Sequence, residues 1–182
     1  MLHSLMLFAH VTSAMILVAA FGIEGLVLLE LRTLSGTGQA RAALTSFRYV
    51  QRTGGAGVGL TVVTGIYLAS AYWGWRGAWM GTAFLTVVVI AIIGATMTGR
   101  ATAALLGATP DRDPSSLIER RKSVLVASFT LRTALLIGIV FLMTVKPVAW
   151  QPSLGTVAAA GVIGLLFGLP GLRRIPHPGT AS

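Results

Sequence analysis

The sequence contains no cysteine, which excludes disulfides, thiolate metal sites, iron–sulfur clusters and cysteine nucleophiles together. Carboxylates are nearly as scarce, with five Asp and Glu against 14 Lys and Arg in 182 residues. Paired carboxylates for acid–base chemistry are missing from the apolar runs, because Asp111, Asp113 and Glu119 fall in one polar stretch and read as capping and loop charges. Any metal would have to be held by His, Met or a lone carboxylate. Charge of either sign is thin, at 10%, whereas 54% of the residues are hydrophobic and the mean hydropathy is +0.81. So few polar groups cannot cover a soluble globule, and the composition is that of an integral membrane protein. A formal charge of +9 would point to nucleic acid in a soluble chain. Here the arginines lie in short connections between apolar runs, where membrane topology accounts for them and no nucleic-acid partner is expected. The start of the chain also lacks a basic segment followed by a short apolar core and a small-residue cleavage site, so the first run is expected to stay in the membrane.

What is present is a set of five apolar runs, expected to cross the bilayer at about 5–29, 54–71, 79–98, 124–145 and 154–172. The expected fold is all-α: a polytopic membrane helix bundle with a four-helix core over 1–150, a fifth transmembrane helix over 151–172 and a disordered cytoplasmic tail over 173–182. The third helix is expected to run on through Ala104, and Asp113-Pro114 reads as the start of the next one, a capping side chain followed by proline at the first helical position. Between the first two runs, residues 39–52 read as an interfacial helix or a plain basic loop. Arg41, Thr45, Arg48 and Arg52 share one face there and suit an anionic leaflet. Small residues spaced by four, Gly55 and Gly59 in the second run and Ala160, Gly164 and Gly168 in the fifth, predict close helix packing, within one chain, in a homo-oligomer or against a partner membrane subunit.

Five crossings place alternate connections on opposite sides. One side collects Arg32, Arg41, Arg48, Arg52, Arg100, Arg112, Arg120, Arg121, Lys122, Arg173 and Arg174, and the other only Arg76 and Lys146. The positive-inside rule then puts the N-terminus outside and the C-terminus in the cytoplasm of a bacterial inner membrane, with anionic lipids at the cytoplasmic face. All four tryptophans fall on the outer side, and Tyr72, Trp73, Trp75 and Trp79 read as an aromatic belt.

Three stretches, LFAHVTSA in the first run, TGIYLA followed by WGWRGAW after the second, and VASFTLRTALLIGIVFLMTVKP in the fourth, resemble the domain-of-unknown-function 2269 family of bacterial integral membrane proteins. The resemblance covers roughly residues 1–148. It implies a four-helix membrane core with the fifth helix added, and brings no established activity. More remotely, a histidine early in the first helix of a small bundle is similar to the CopD-like copper-resistance and membrane protoporphyrinogen oxidase families, which would imply copper or haem chemistry at His10.

Ionisable groups inside apolar runs are costly, and each needs a partner or a purpose. His3, His10, Leu17 and Glu24 recur every seven residues, so they share one helix face, which should look into the bundle. Glu24 is expected to form a structural ion pair with Arg132, which the antiparallel path of the first and fourth helices brings to a similar depth. His10 reads either as a ligand for haem b or Cu(I), or as a hydrogen-bond donor to a neighbouring helix. For Cu(I), Met6 lies one turn before His10, with His3, Met80 and Met143 expected at the same outer depth as further soft or imidazole ligands. Catalysis is not expected: Ser13 is near His10, but Glu24 lies ~20 Å along the helix from it, so no triad forms. Three readings follow: a structural or accessory membrane protein, a haem or copper protein built on His10, and a small proton-coupled transporter using Glu24.

Overall fold

The computed structural model describes residues 1–33, 37–107 and 115–173, with side chains described over 1–31, 43–107 and 118–168. Six α-helices run in order: α1 (Leu2–Thr33), α2 (Thr37–Leu68), α3 (Ala78–Ile93), α4 (Arg100–Leu106), α5 (Ser115–Val145) and α6 (Trp150–Arg173). A π-helical turn, Ala69–Trp73, extends α2, and another, Gly94–Gly99, joins α3 to α4 without a break. No strand occurs among the described residues. Proline placement allows these lengths, since α1 to α5 contain none and α6 holds Pro152 in its first turn and Pro170 in its last. Many Ser and Thr hydroxyls bond back to the carbonyl four residues earlier, as Thr82 does to Ala78 and Thr86 to Thr82, so they sit in apolar helices without an unmet donor.

Among the described residues five segments are long and apolar enough to cross a membrane: Leu2–Leu31, Ala43–Trp73, Ala78–Leu106, Ile118–Val145 and Trp150–Gly168. Their outward faces carry large bare side chains such as Met15, Leu26, Val63, Ile137 and Phe167, each more than 60% exposed. A continuous apolar exterior of this kind is what a lipid-facing surface requires.

The second run differs from its expectation. Residues 39–52 are not a separate interfacial helix but the first half of α2, continuous with the apolar half. Leu44 and Phe47 hold that half in place: they are buried against Leu28, Leu31, Ala101, Leu105 and Leu125 in a core at one end of the bundle. Arg48 and Arg52 remain on its exposed side. The expected cap at Asp113-Pro114, the side chain of Arg41 and the tail beyond Arg173 lie outside the described residues.

Helices pack as two close pairs. α1 lies along α2 and α6 lies along α5, while α3 rests on α5 and α6. Glycines set both close approaches, though not always those expected. In α2 the surface against α1 carries Gly54 and Gly57, where an added Cβ would meet Ala20 Cβ at 3.4 Å and Ser13 O at 3.5 Å respectively, whereas Gly55 and Gly59 face open space. A glycine packing face on α2 was right, but the pair that forms it is spaced by three, not four, and lies one and two residues before the pair expected. In α6 the expected residues do make the contact: a Cβ on Gly164 would lie 2.8 Å from Leu131 Cα and 3.0 Å from Ala134 Cβ, and Ala160 Cβ approaches Gly138. Gly164→Leu is therefore expected to force α5 and α6 apart and cost about 1–3 kcal/mol, while Gly55→Leu is tolerated, as thermal unfolding of the two purified variants will report.

One end of the bundle gathers the tryptophans. His3 of α1 stacks on Tyr72 with ring centroids 4.1 Å apart, Trp73 meets Trp79 edge-on at 5.3 Å, and Trp150 reaches Gly81. Trp79 is buried, at 7% exposure, so it belongs to the core and not to a surface belt. The opposite end carries Arg100, Arg120, Arg121 and Lys122, and Arg48 and Arg52 lie partway along α2 in the same half of the bundle.

Candidate functional site

His10 is placed by α1 and oriented by α2. Its Nδ1 lies 3.0 Å from the Thr61 carbonyl oxygen and 3.1 Å from Thr64 Oγ1. A backbone carbonyl can only accept, so Nδ1 carries the proton and donates it. The Thr64 hydroxyl points its own proton at the Leu60 carbonyl, 2.7 Å away, which leaves its oxygen free to accept from the same imidazole. The tautomer is thereby fixed, and Nε2 keeps its lone pair. Nε2 makes no hydrogen bond with any described residue. Beside the ring, an added Cβ on Gly65 would lie 3.0 Å from His10 Cε1, so glycine is what lets the imidazole seat against α2. A short polar ladder continues inward: Thr61 Oγ1 donates to Ser13 Oγ at 2.9 Å, and Ser13 Oγ donates to the His10 carbonyl at 2.9 Å.

His10 also lines a cavity of about 680 Å³ between α1, α2, α3 and α5. Its walls are otherwise nearly all apolar, with Leu17, Ala83 and Ile139 toward the core. Val11, Met15 and Val140 line it as well, and these are 49%, 68% and 52% exposed, so the cavity opens sideways through the apolar exterior of the bundle. At the tryptophan end its rim is made by Trp73, Trp75, Trp79 and Lys146. The Lys146 ammonium lies over the Trp73 ring at 5.2 Å and the Trp79 ring at 5.9 Å, a cation held by aromatic faces. Trp75 and Lys146 have φ of 57° and 51°, the left-handed region that bulky side chains avoid. Both line the cavity, and strained backbone of this kind costs of order 1–3 kcal/mol per residue and clusters at binding sites.

Beyond the closed end of the cavity, one turn past Leu136 on α5, Arg132 Nη2 donates to Glu24 Oε1. Both side chains are buried, and the guanidinium also lies 5.3 Å from the Phe21 ring centroid. An added Cβ on Gly94, which begins the second π-helical turn, would sit 3.7 Å from Arg132 Nη1, so a bare helix surface makes the room. The pair ties α1 to α5 where those two helices otherwise touch little.

The structure thus brings Glu24 and Arg132 together, and places His10, Met80 and Met143, from three helices, in the lining of one cavity. It does not bring Met6 or His3 there: neither lines the cavity, and the His3 ring is packed on Tyr72 with its Nδ1 buried and unpartnered. Among the described residues no three His, Asp or Glu side chains gather as a metal site. Ser13 is fully buried and held by hydrogen bonds at both its donor and acceptor sides, as a packing residue would be. Sequence reasoning missed Thr61, Thr64, Gly65 and Lys146. A usable signal existed for the first three, since Thr61, Thr64 and Gly65 form an i, i+3, i+4 polar and small face within an apolar run. No protein-family model, curated protein or solved structure matches this chain.

Proposed function

We propose that the chain is a five-span protein of the bacterial cytoplasmic membrane that takes an apolar ligand from the bilayer into the cavity and meets its polar group with His10. One observation carries this reading: a half-buried imidazole with one nitrogen committed to α2 and the other free, on the wall of a 680 Å³ apolar cavity that opens through the outer surface of the bundle. Concave, apolar spaces with a few convergent polar groups are where small molecules bind. Nε2 accepts a hydrogen bond, so the ligand carries a hydroxyl or phenol on an apolar body. Three of the four tryptophans line the cavity, which provides the test. A brominated long-chain alcohol should quench tryptophan fluorescence saturably in the detergent-solubilised protein, and a linear, unsaturable response would refute the reading.

A haem or Cu(I) centre on His10 is the second reading. What favours it is the Nδ1–H donated to a backbone carbonyl, the usual support of a metal-ligating histidine, together with Met80 and Met143 in the lining of the same cavity. For haem, the lining offers Lys146 as its one cation for two propionates, which fits poorly. A Soret band in the purified protein would establish haem, and metal analysis would establish copper.

In this reading the chain is an accessory membrane protein to which the cavity adds a ligand, and no chemical step is assigned. Transport through Glu24 is disfavoured, because Arg132 already engages its carboxylate in a buried ion pair that acts as a lock. The likeness to the domain-of-unknown-function 2269 family is part of the proposal and rests on the three stretches that carry it. The orientation, N-terminus outside, is part of the proposal too, and the lysine and arginine asymmetry supports it. A C-terminal green fluorescent protein fusion should fluoresce and the corresponding alkaline phosphatase fusion should be inactive; the reverse pattern would overturn the orientation.

A further inference from the structure

A second cavity, of about 430 Å³, lies at the arginine end between the α3–α4 segment and α5. Arg100 comes to it from α4, and Arg120 and Arg121 from α5. The rest of the lining is Thr96, Met97, Ala101, Ala104 and Val124, of which Ala101 is buried while Arg100 and Arg120 are exposed, so the space has a cationic rim and a largely apolar floor. The π-helical turn Gly94–Gly99 supplies part of that wall through Met97 and hands directly to Arg100. Turns of this type recur at functional sites because they displace side chains from the regular helical phase.

Arg121 is steadied by donating from Nη1 to the Ala104 carbonyl at 3.2 Å, which fixes one corner of the cluster. Glu119, the neighbouring carboxylate on α5, is paired with Lys122 at 3.9 Å. Arg100 and Arg120 make no ion pair among the described residues. The connection between α4 and α5 contains Asp111, Arg112 and Asp113, one net negative charge against three arginines, so the cluster keeps a positive balance.

Guanidinium groups around a concavity recognise phosphate, to which each presents several N–H donors in a fixed plane. The apolar floor distinguishes the source: a free phosphate or a sugar phosphate gains nothing from Met97 and Val124, whereas a lipid brings its glycerol and upper acyl carbons to that depth. We propose that this cavity binds the phosphate of an anionic phospholipid, with Arg100, Arg120 and Arg121 on the headgroup and the apolar floor against the acyl chains. The inference rests on the membrane reading above, though not on the ligand of the larger cavity.

The test uses the full chain in nanodiscs containing phosphatidylcholine with a minor fraction of phosphatidylglycerol, and reads the lipid retained per chain by native mass spectrometry after gentle release. Failure of the chain to enter nanodiscs at all would count against the membrane reading and is scored separately. Wild-type protein should retain one phosphatidylglycerol in preference to phosphatidylcholine. Arg100→Gln/Arg120→Gln, at two exposed positions, should weaken that preference about fivefold for each arginine removed. Arg100→Lys/Arg120→Lys should keep most of it, and Arg48→Gln/Arg52→Gln, in the same half of the bundle but outside the cavity, should leave it unchanged. Retention unaffected by the Arg100/Arg120 glutamines, equal loss in the Arg48/Arg52 control, or displacement of the lipid by inorganic phosphate would each overturn the proposal.

Discussion

Glu24→Gln will destabilise the bundle by about 3–5 kcal/mol, the usual cost of removing one partner from a buried ion pair, and Arg132→Gln will cost less. The asymmetry follows from chemistry. Without Glu24, the guanidinium is left charged among Phe21, Gly94 and the surrounding apolar side chains, and it has no neutral form to retreat to. Without Arg132, the lone carboxyl can be neutralised by a proton and persist as a buried acid. Arg132 Nε has no hydrogen-bond partner among the described residues, so the guanidinium depends heavily on its contact with Glu24. Replacing both residues with apolar side chains of similar volume, Glu24→Leu/Arg132→Met, should recover most of the stability, because no unpaired charge remains. Thermal or SDS-induced unfolding of the three variants in detergent decides the point. Equal and negligible effects would mean that the pair does not hold α1 to α5.

That pair was legible in the sequence for a physical reason. A charge inside a long apolar run is rare, two such charges of opposite sign on antiparallel helices are a strong constraint, and no third candidate existed. The spans were legible on the same grounds, since hydropathy integrates over some twenty residues and tolerates local error. Residues 39–52 were misread because their arginines dominate composition, while the two side chains that decide their placement, Leu44 and Phe47, are few and look like any others. Gly55 and Gly59 were misread because one or two residues of phase separate the face that meets α1, carrying Gly54 and Gly57, from the face that meets nothing. The cavity itself was not legible at all. It arises from how far apart α1 and α2 stand from α3 and α5, a distance set by packing along the whole bundle. His10 could be singled out beforehand, but which nitrogen it would offer depended on the position of the Thr61 carbonyl, which no side-chain pattern encodes.

Filling the cavity should have the largest effect on ligand binding. Ala83 lines it and is 2% exposed, so Ala83→Phe places a ring in the space without opening the surface. Saturable quenching by the brominated alcohol should disappear. His10→Ala leaves the volume but removes the acceptor, and the lost hydrogen bond should weaken binding by roughly 5- to 10-fold, corresponding to about 1 kcal/mol or slightly more. A ligand held by shape alone would show the first effect and not the second. A bound metal centre would show a far larger loss with His10→Ala than a hydrogen bond can account for, together with loss of its absorption bands.

The most direct measurement is native mass spectrometry of the protein taken from its own membranes into nanodiscs, with and without Ala83→Phe. The account predicts that wild-type chains carry one additional apolar molecule, of a single mass, and that Ala83→Phe chains of unchanged helical content carry none. Wild-type chains without such a molecule, or the same molecule retained in both, would contradict it.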